Sequence, residues 1–338
     1  MNVRKRALRA LSIAALTFGL AAAGAVKEKH VKPETTVATG PAVLWTNPTD
    51  LESRNLFYGP GGKVDMPRGS FYFVKEDLDG TNPKFVVRDQ DGVKWKVKLG
   101  IEARPETAAS RLVWAVGYYA DEDYFVRDLK VHEMPARLHR GQELVGPGGE
   151  VHNVRLKREP DNKDKLGNWH WRHDAFTGTR EWNGLRTLMA VINNWDLKDE
   201  NNAIREEAGR RIYMISDLGA SFGCAGRCWP RDRTKGDLDK YSESRFIRRL
   251  TPETVDFETP ARPRFLYLVN PKEYLSRVRL EWIGKDIPRR DAKWMGQLLA
   301  RLSRRQIEDA FRAAGYSPSE VDGFYRVLAG RIDQLTDL

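Results

Sequence analysis

Cysteine is scarce. The chain has 338 residues and two cysteines, Cys224 and Cys228. That excludes a small disulfide-built scaffold, so a packed hydrophobic core must carry the fold. In an exported chain a nearby pair is expected to close a small loop as a disulfide, with two free thiols as the alternative. A zinc site would need two further ligands, and no histidine stands near in sequence. Long apolar runs are also missing after residue 25, so no later segment is apolar enough to span a membrane. There is no internal repeat and no low-complexity tract, which excludes solenoid and fibrous architectures. Basic residues are dispersed rather than concentrated, so no nucleic-acid partner is expected.

What is present starts at the N-terminus. Arg4, Lys5, Arg6 and Arg9 precede an apolar stretch from Ala10 to Ala23, and Ala23-Gly24-Ala25 supplies small residues at the right positions for cleavage. Residues 1–25 therefore read as a secretory signal peptide, and the mature chain as periplasmic or extracellular. If uncleaved, residues 7–25 would anchor the chain, and only then is a membrane partner expected. The leader holds four basic residues and no acidic one, so the remainder keeps a net charge of +6 out of the +10 of the whole chain. That balance suits anionic partners such as nucleotide phosphates. Hydrophobic residues make up 41% and charged residues 31%, the balance of a globular protein. The ten tryptophans are assigned to the core.

Residues 26–55 are polar and proline-containing and read as a linker, with Trp45 as an anchor to the body. Three strand-like runs follow. They are Ser70-Phe71-Tyr72-Phe73-Val74, Lys84-Phe85-Val86-Val87-Arg88, and Val93-Lys94-Trp95-Lys96-Val97-Lys98, the last two joined by an Asp-Gln-Asp-Gly hairpin signal. The third alternates cleanly, with Val93, Trp95 and Val97 on one face and three lysines on the other. An antiparallel meander is the simplest arrangement. Residues 106–118 carry a helical stripe of Ala109, Leu112, Val113 and Val116. Residues 124–132 and 150–157 suggest two more strands. From Arg180 onward helices dominate, at 184–193 and 292–302, and two capping boxes, Ser303 with Gln306 and Ser317 with Glu320, open two more. The expected fold is α+β and two-lobed. Residues 56–130 form a β-rich lobe with one helix, and residues 131–338 a mainly helical lobe.

The chemistry concentrates in residues 191–219. Asp196 is followed five residues later by Asn201, and an apolar run leads to Asp217-Leu218-Gly219. Phosphoryl transfer to a hydroxyl needs such a set: one carboxylate to accept the hydroxyl proton, then an amide oxygen and a second carboxylate to hold metal ions. In the first lobe, Gly80 to Lys84 forms a turn between strands whose backbone can approach phosphates closely. Lys98 ends a strand, with Lys96 as its rival on the same face, and Glu106 stands in the first turn of the next helix.

Asp196-Leu197-Lys198-Asp199-Glu200-Asn201 resembles the catalytic loop of protein kinases, and Asp217-Leu218-Gly219 resembles their metal-binding Asp-Phe-Gly. Gly80-Thr81-Asn82-Pro83-Lys84-Phe85, followed by a strand ending in lysine, is similar to HipA-like atypical kinases and shares the layout of secretory-pathway Fam-type and phosphoinositide kinases. The resemblance covers about residues 71–223. It implies that Asp196 is the catalytic carboxylate, that Lys198 stabilises the transferring phosphoryl, and that Asn201 and Asp217 hold magnesium, with Asn202 a competitor for Asn201. It further implies that Lys98 and Glu106 form the ATP-phosphate ion pair, and that Gly80, Thr81, Asn82 and Lys84 cover the phosphates. There are departures. No Gly-x-Gly-x-x-Gly loop is present, Asn194-Trp195 replaces His-Arg, and no Ala-Pro-Glu element follows Asp217. The implied activity is that of an exported kinase using ATP and magnesium on a hydroxyl acceptor of protein, lipid or small-molecule type. A catalytically silent binding module and a nucleotidyl transferase are the alternatives.

Overall fold

The computed structural model describes residues 40–159, 165–226, 231–261 and 265–338. The signal-peptide reading of residues 1–25, the first part of the expected linker and Cys228 lie outside the described residues, and the expected pairing of Cys228 with Cys224 lies there with it. Among the described residues no helix is long and apolar enough to cross a membrane.

The first lobe is a closed barrel rather than a plain meander. Its strands are β2 (Phe71–Glu76), β3 (Lys84–Asp89), β4 (Lys94–Lys98), β6 (Asp123–His132) and β7 (Glu150–Arg158), in the order β2-β3-β4-β7-β6. The meander β2-β3-β4 is there, and β6 then closes the barrel by pairing parallel to β2, Phe71 opposite Val131. Closure removes the two exposed edges that a bare meander would leave. It also draws in β7, so this lobe runs to Arg158 instead of ending near residue 130. Alternation along β4 puts Trp95 and Val97 into the barrel core with Phe85, Val87, Leu129, Val154 and Leu156. The Trp95 indole N–H donates to Asp89 Oδ2 at 2.8 Å, which satisfies its one polar atom. The other Asp89 oxygen accepts from the backbone N–H groups of Asp91 and Val93 and shapes the hairpin.

Helix α1 (Ala103–Ala115) follows β4 and starts three residues earlier than the stripe suggested. Gly100, at φ +82°, turns the chain from strand to helix. Short β5 (Tyr119–Ala120) then pairs with a second sheet built from β1 (Ala42–Val43), β10 (Arg210–Ile215), β9 (Asn202–Glu207) and β8 (Lys165–Gly167). The last of the expected linker is therefore structured. Leu44 and Leu51 are buried in the main core, and the Trp45 indole donates to Val116 O at 2.7 Å. A polar, proline-bearing composition hid these leucines.

The second lobe holds α2 (Arg180–Val191), α3 (Leu238–Glu243), α4 (Phe265–Val269), α5 (Pro271–Leu280), α6 (Arg289–Leu299), α7 (Arg304–Ala313) and α8 (Pro318–Thr336). A three-stranded sheet of β11 (Ile247–Leu250), β12 (Thr254–Phe257) and β13 (Ile287–Pro288) lies among them. Both capping boxes form, at Ser303 with Gln306 and at Ser317 with Glu320. Phe222, Phe311 and Phe324 pack ring to ring at the centre. Trp169, Trp171, Trp182 and Trp195 are buried in the same core.

Candidate active site between the two lobes

The face of β4 opposite the barrel core carries Lys96 and Lys98. Lys98 is 4% exposed, too buried to persist as an ammonium without partners. It has three. Its Nζ lies 2.8 Å from Glu106 Oε2, 3.0 Å from Glu102 Oε2 and 3.2 Å from Asp217 Oδ1. Glu102 and Glu106 stand one helical turn apart at the start of α1, so both project from one face toward the strand end. Burial works against the Lys98 charge, but the three carboxylates outweigh it and hold the ammonium well above its ordinary pKa.

A second layer supports this cluster. Register places Arg155 of β7 opposite Lys98, and Lys157 opposite Lys96. Like charges facing each other across strands repel, and here carboxylates are interposed. Glu106 Oε1 accepts from Arg155 at 2.8 Å, and Asp123 sits 3.5 Å from the same guanidinium. Asp121 takes Lys157 at 2.9 Å and Arg205 at 3.2 Å. Glu102 has two further partners, Lys235 at 2.5 Å and the Asn82 amide at 2.6 Å. It thereby ties together the β2–β3 turn, the end of β4 and the segment beyond Asp217.

Asp217 comes at the end of β10, and its Oδ1 also accepts from Gly219 N at 3.2 Å. Burial would raise its pKa. The charge of Lys98, the Gly219 N–H and the charge of Arg155 overcome that and bring the carboxyl down to about 2.

The second wall is the turn after α2, which reaches the cleft through Glu200 and Asn201, while Asp196 and Lys198 are not among its lining residues. Asn194 Oδ1 accepts from Asp196 N at 3.1 Å, and Asn201 Nδ2 donates to Asp196 O at 2.6 Å. Lys198 Nζ lies 3.2 Å from Asp196 Oδ1. Buried Trp195 and Leu197 pin the turn to the core on either side of Asp196. Asn202, the rival of Asn201, lines the same cleft, but its side-chain amide is engaged elsewhere. It is 2% exposed and donates to Trp169 O at 3.1 Å.

Between the walls lies a cleft of about 500 Å³, lined by Gly80, Lys84, Lys96, Lys157, Lys165, Arg205, Asn201 and Asp217 among others. Gly80 and Lys84 thus roof it from the β2–β3 turn, where Arg140 holds the Gly80 and Asp77 carbonyls. Asn82 points to Glu102 instead, and Thr81 is exposed outside the lining. Lys96 lines the cleft but is paired with Asp77 at 2.8 Å and Glu159 at 3.1 Å, whereas Lys98 stands deeper, behind Asp217. Sequence reasoning missed Glu102, Asp121, Asp123, Arg155, Lys157, Arg205 and Lys235. Only Glu102 carried a local signal, four residues after Lys98 and one turn before Glu106.

The carboxylates of Glu102, Glu106 and Asp217 lie within 4.8 Å of one another but share the Lys98 ammonium, so the oxygen donors left to hold a hard divalent cation are those of Asn201 and Asp217, which both line the cleft. Such all-oxygen sets suit magnesium or manganese.

No protein-family model and no curated protein matches the sequence. Among solved structures, the chain is similar to the Helicobacter pylori proinflammatory kinase CtkA, with a TM-score of 0.42 and 11% identity over 80% of this chain and 98% of that one. It is also similar to the Golgi casein kinase with Mn/ADP bound, with a TM-score of 0.40 and 11% identity over 80% of this chain and 73% of that one. A second structure of the Golgi casein kinase gives a TM-score of 0.35 at the same identity and coverage. The fold is α+β, with a barrel lobe carrying one helix and a mainly helical lobe.

Proposed function

We propose that the chain transfers the γ-phosphoryl of ATP to a hydroxyl acceptor. The observation that carries this reading is the junction of Lys98, Glu106 and Asp217 beside a cleft that Asp217 shares with Asn201, whose amide closes the turn back onto Asp196. In that reading Asp196 orients the acceptor hydroxyl and takes its proton as the new oxygen–phosphorus bond forms. The bond between the γ-phosphorus and the β–γ bridging oxygen breaks, and ADP leaves. Lys198, beside Asp196, faces the charge that develops on the transferring group. Lys84 and the Gly80 backbone lie over the phosphates, and Lys98 meets them at the back of the cleft once they displace part of its carboxylate shell. Asn201 and Asp217 would hold magnesium, which supplies charge neutralisation at the phosphates. A depressed pKa keeps Asp217 ionised for that task.

Export through residues 1–25 belongs to the same proposal, so the enzyme would meet ATP outside the cytoplasm. The test is an assay of purified mature chain with magnesium and either γ- or α-labelled ATP. Transfer from the γ position alone is expected. Transfer from the α position would make the chain a nucleotidyl transferase. Transfer from neither, with no nucleotide-induced shift in Tm, would leave a binding module.

A further inference from the structure

A second cavity, of about 630 Å³, opens on the far side of the Asp199–Asn201 turn. Glu200 lines both this cavity and the nucleotide cleft, so one turn of chain separates them. Lys198, whose ammonium touches Asp196, lines the second cavity. Asp196 is not among the lining residues of either cavity, and the Lys198 contact is what links it to the second one.

The lining specifies the chemistry of that acceptor. Arg172, Lys198, Lys272 and Arg279 bring four cations, against the carboxylates of Asp199 and Glu200. Asp199 is already engaged, by His170 at 2.7 Å and by Trp171 N at 3.2 Å. The Arg172 guanidinium lies 4.3 Å over the ring of Trp282, which is itself stacked on Trp182. A guanidinium resting over an aromatic ring has less freedom left to lose on binding, and its fork matches an anionic oxygen pair. Lys272, Leu275 and Arg279 recur at helical spacing along α5, so one face of that helix is turned to the cavity. The volume falls in the range of small-ligand pockets, roughly 300–1,000 Å³.

We propose that this cavity is the acceptor site, and that its ligand is a phosphorylated alcohol, a compound with a free hydroxyl a few bonds from a phosphate. The phosphate sits among Arg172, Lys272 and Arg279, and the hydroxyl points to Asp196. The step is the one written above. The acceptor oxygen bonds to the γ-phosphorus, its proton goes to Asp196 and ADP departs. The hydroxyl part rests on the phosphotransfer reading, while the anion receptor stands without it. Two sources share this chemistry, a free sugar or polyol phosphate and a phospholipid headgroup. Phe265, Tyr267, Leu268 and Val269 on α4, which packs with α5, are exposed and present an apolar edge that a lipid source would use.

The test is calorimetric titration of the full chain, without nucleotide, with glycerol 3-phosphate, glycerol, a phosphoserine peptide, and vesicles of phosphatidylglycerol or phosphatidylcholine. The expected result is glycerol 3-phosphate binding at least about tenfold tighter than glycerol, weakened at least about tenfold by K272E/R279E. Both side chains are exposed, so the double variant keeps the wild-type Tm. Binding to phosphatidylglycerol but not phosphatidylcholine vesicles, lost in K272E/R279E, supports the lipid source, and binding of glycerol 3-phosphate alone supports the free compound. If neither binds, if K272E/R279E binds as well as wild type, or if only the peptide binds, the proposal is overturned. Titration of the wild-type chain with Mg·ADP separately tests the phosphotransfer reading, so failure of one is not mistaken for failure of the other.

Discussion

The Lys98 ammonium lies 3.2 Å from the Asp217 carboxylate, across 119 residues of chain, and this contact joins the barrel lobe to the end of β10. Its energetics are those of a buried charge with several partners. Removing the cation leaves Asp217 without its ammonium partner and takes one cation each from Glu102 and Glu106, which keep Lys235 and Arg155. Lys98→Met is expected to cost about 3–5 kcal/mol of stability, the usual penalty for breaking a buried pair from one side. Urea unfolding at neutral pH reads it, and a loss below about 1 kcal/mol would mean that the cluster is solvated.

Gly219 makes room for this cluster. A Cβ at that position would stand 2.6 Å from Glu102 Oε2. Gly219→Ala should push Glu102 off Lys98 and Asn82, at a cost of about 1–3 kcal/mol. The check is a double-mutant cycle in thermal unfolding. In a Glu102→Gly background, which removes all three Glu102 atoms within 3 Å of the added Cβ, the cost of Gly219→Ala should largely vanish.

Asn201 and Asn202 are adjacent and should behave differently. The Asn202 side chain is buried on the Trp169 carbonyl, so Asn202→Ala is expected to lose about 1–3 kcal/mol of stability. Asn201 faces the cleft. Asn201→Ala should cost no more than about 1 kcal/mol and should weaken Mg·ADP binding by about tenfold or more. Calorimetry with Mg·ADP and urea unfolding of both variants separate the two effects.

Asp123 gives the stability a pH signature. Burial raises its carboxyl to about 7 in spite of Arg155. In the unfolded chain it titrates near pH 3.9, so between about pH 4 and 7 the folded state holds the proton and the unfolded state does not. This group therefore contributes its full stability below about pH 4 and loses it as pH rises through about 7. Asp123→Asn removes that slope. The difference in urea midpoint between variant and wild type should grow in favour of the variant from pH 5 to pH 8, and a constant difference would show that Asp123 is ionised throughout.

Local spacing made part of this site legible. The alternation of Trp95 and Val97 with Lys96 and Lys98 marks one face of β4 for the core and the other for the cleft. The asparagine five residues after Asp196 closes a turn back onto it, which is a local contact. The Lys98–Glu106 contact was legible as well, because a strand end and the first turns of the next helix are close in sequence. Arg155, Lys157 and Arg205 were not legible. They reach the cleft through the pairing of β7 with β4 and through Asp121, and nothing near them in sequence announces those partners. The same cause shifted the lobe boundary. Barrel closure depends on β6 meeting β2, a contact between strands some sixty residues apart. The acceptor cavity was hidden for the same reason, since its cations come from Arg172, the Lys198 turn and α5.

The most direct test of the account is the rate of γ-phosphoryl transfer from Mg·ATP by Asp196→Asn compared with wild type, measured in a single turnover on purified protein. Asp196→Asn keeps the size of the side chain and removes the proton acceptor. The account predicts a rate lower by at least about 10²-fold, with Mg·ADP affinity within about threefold of wild type. Equal rates in the two proteins would contradict it.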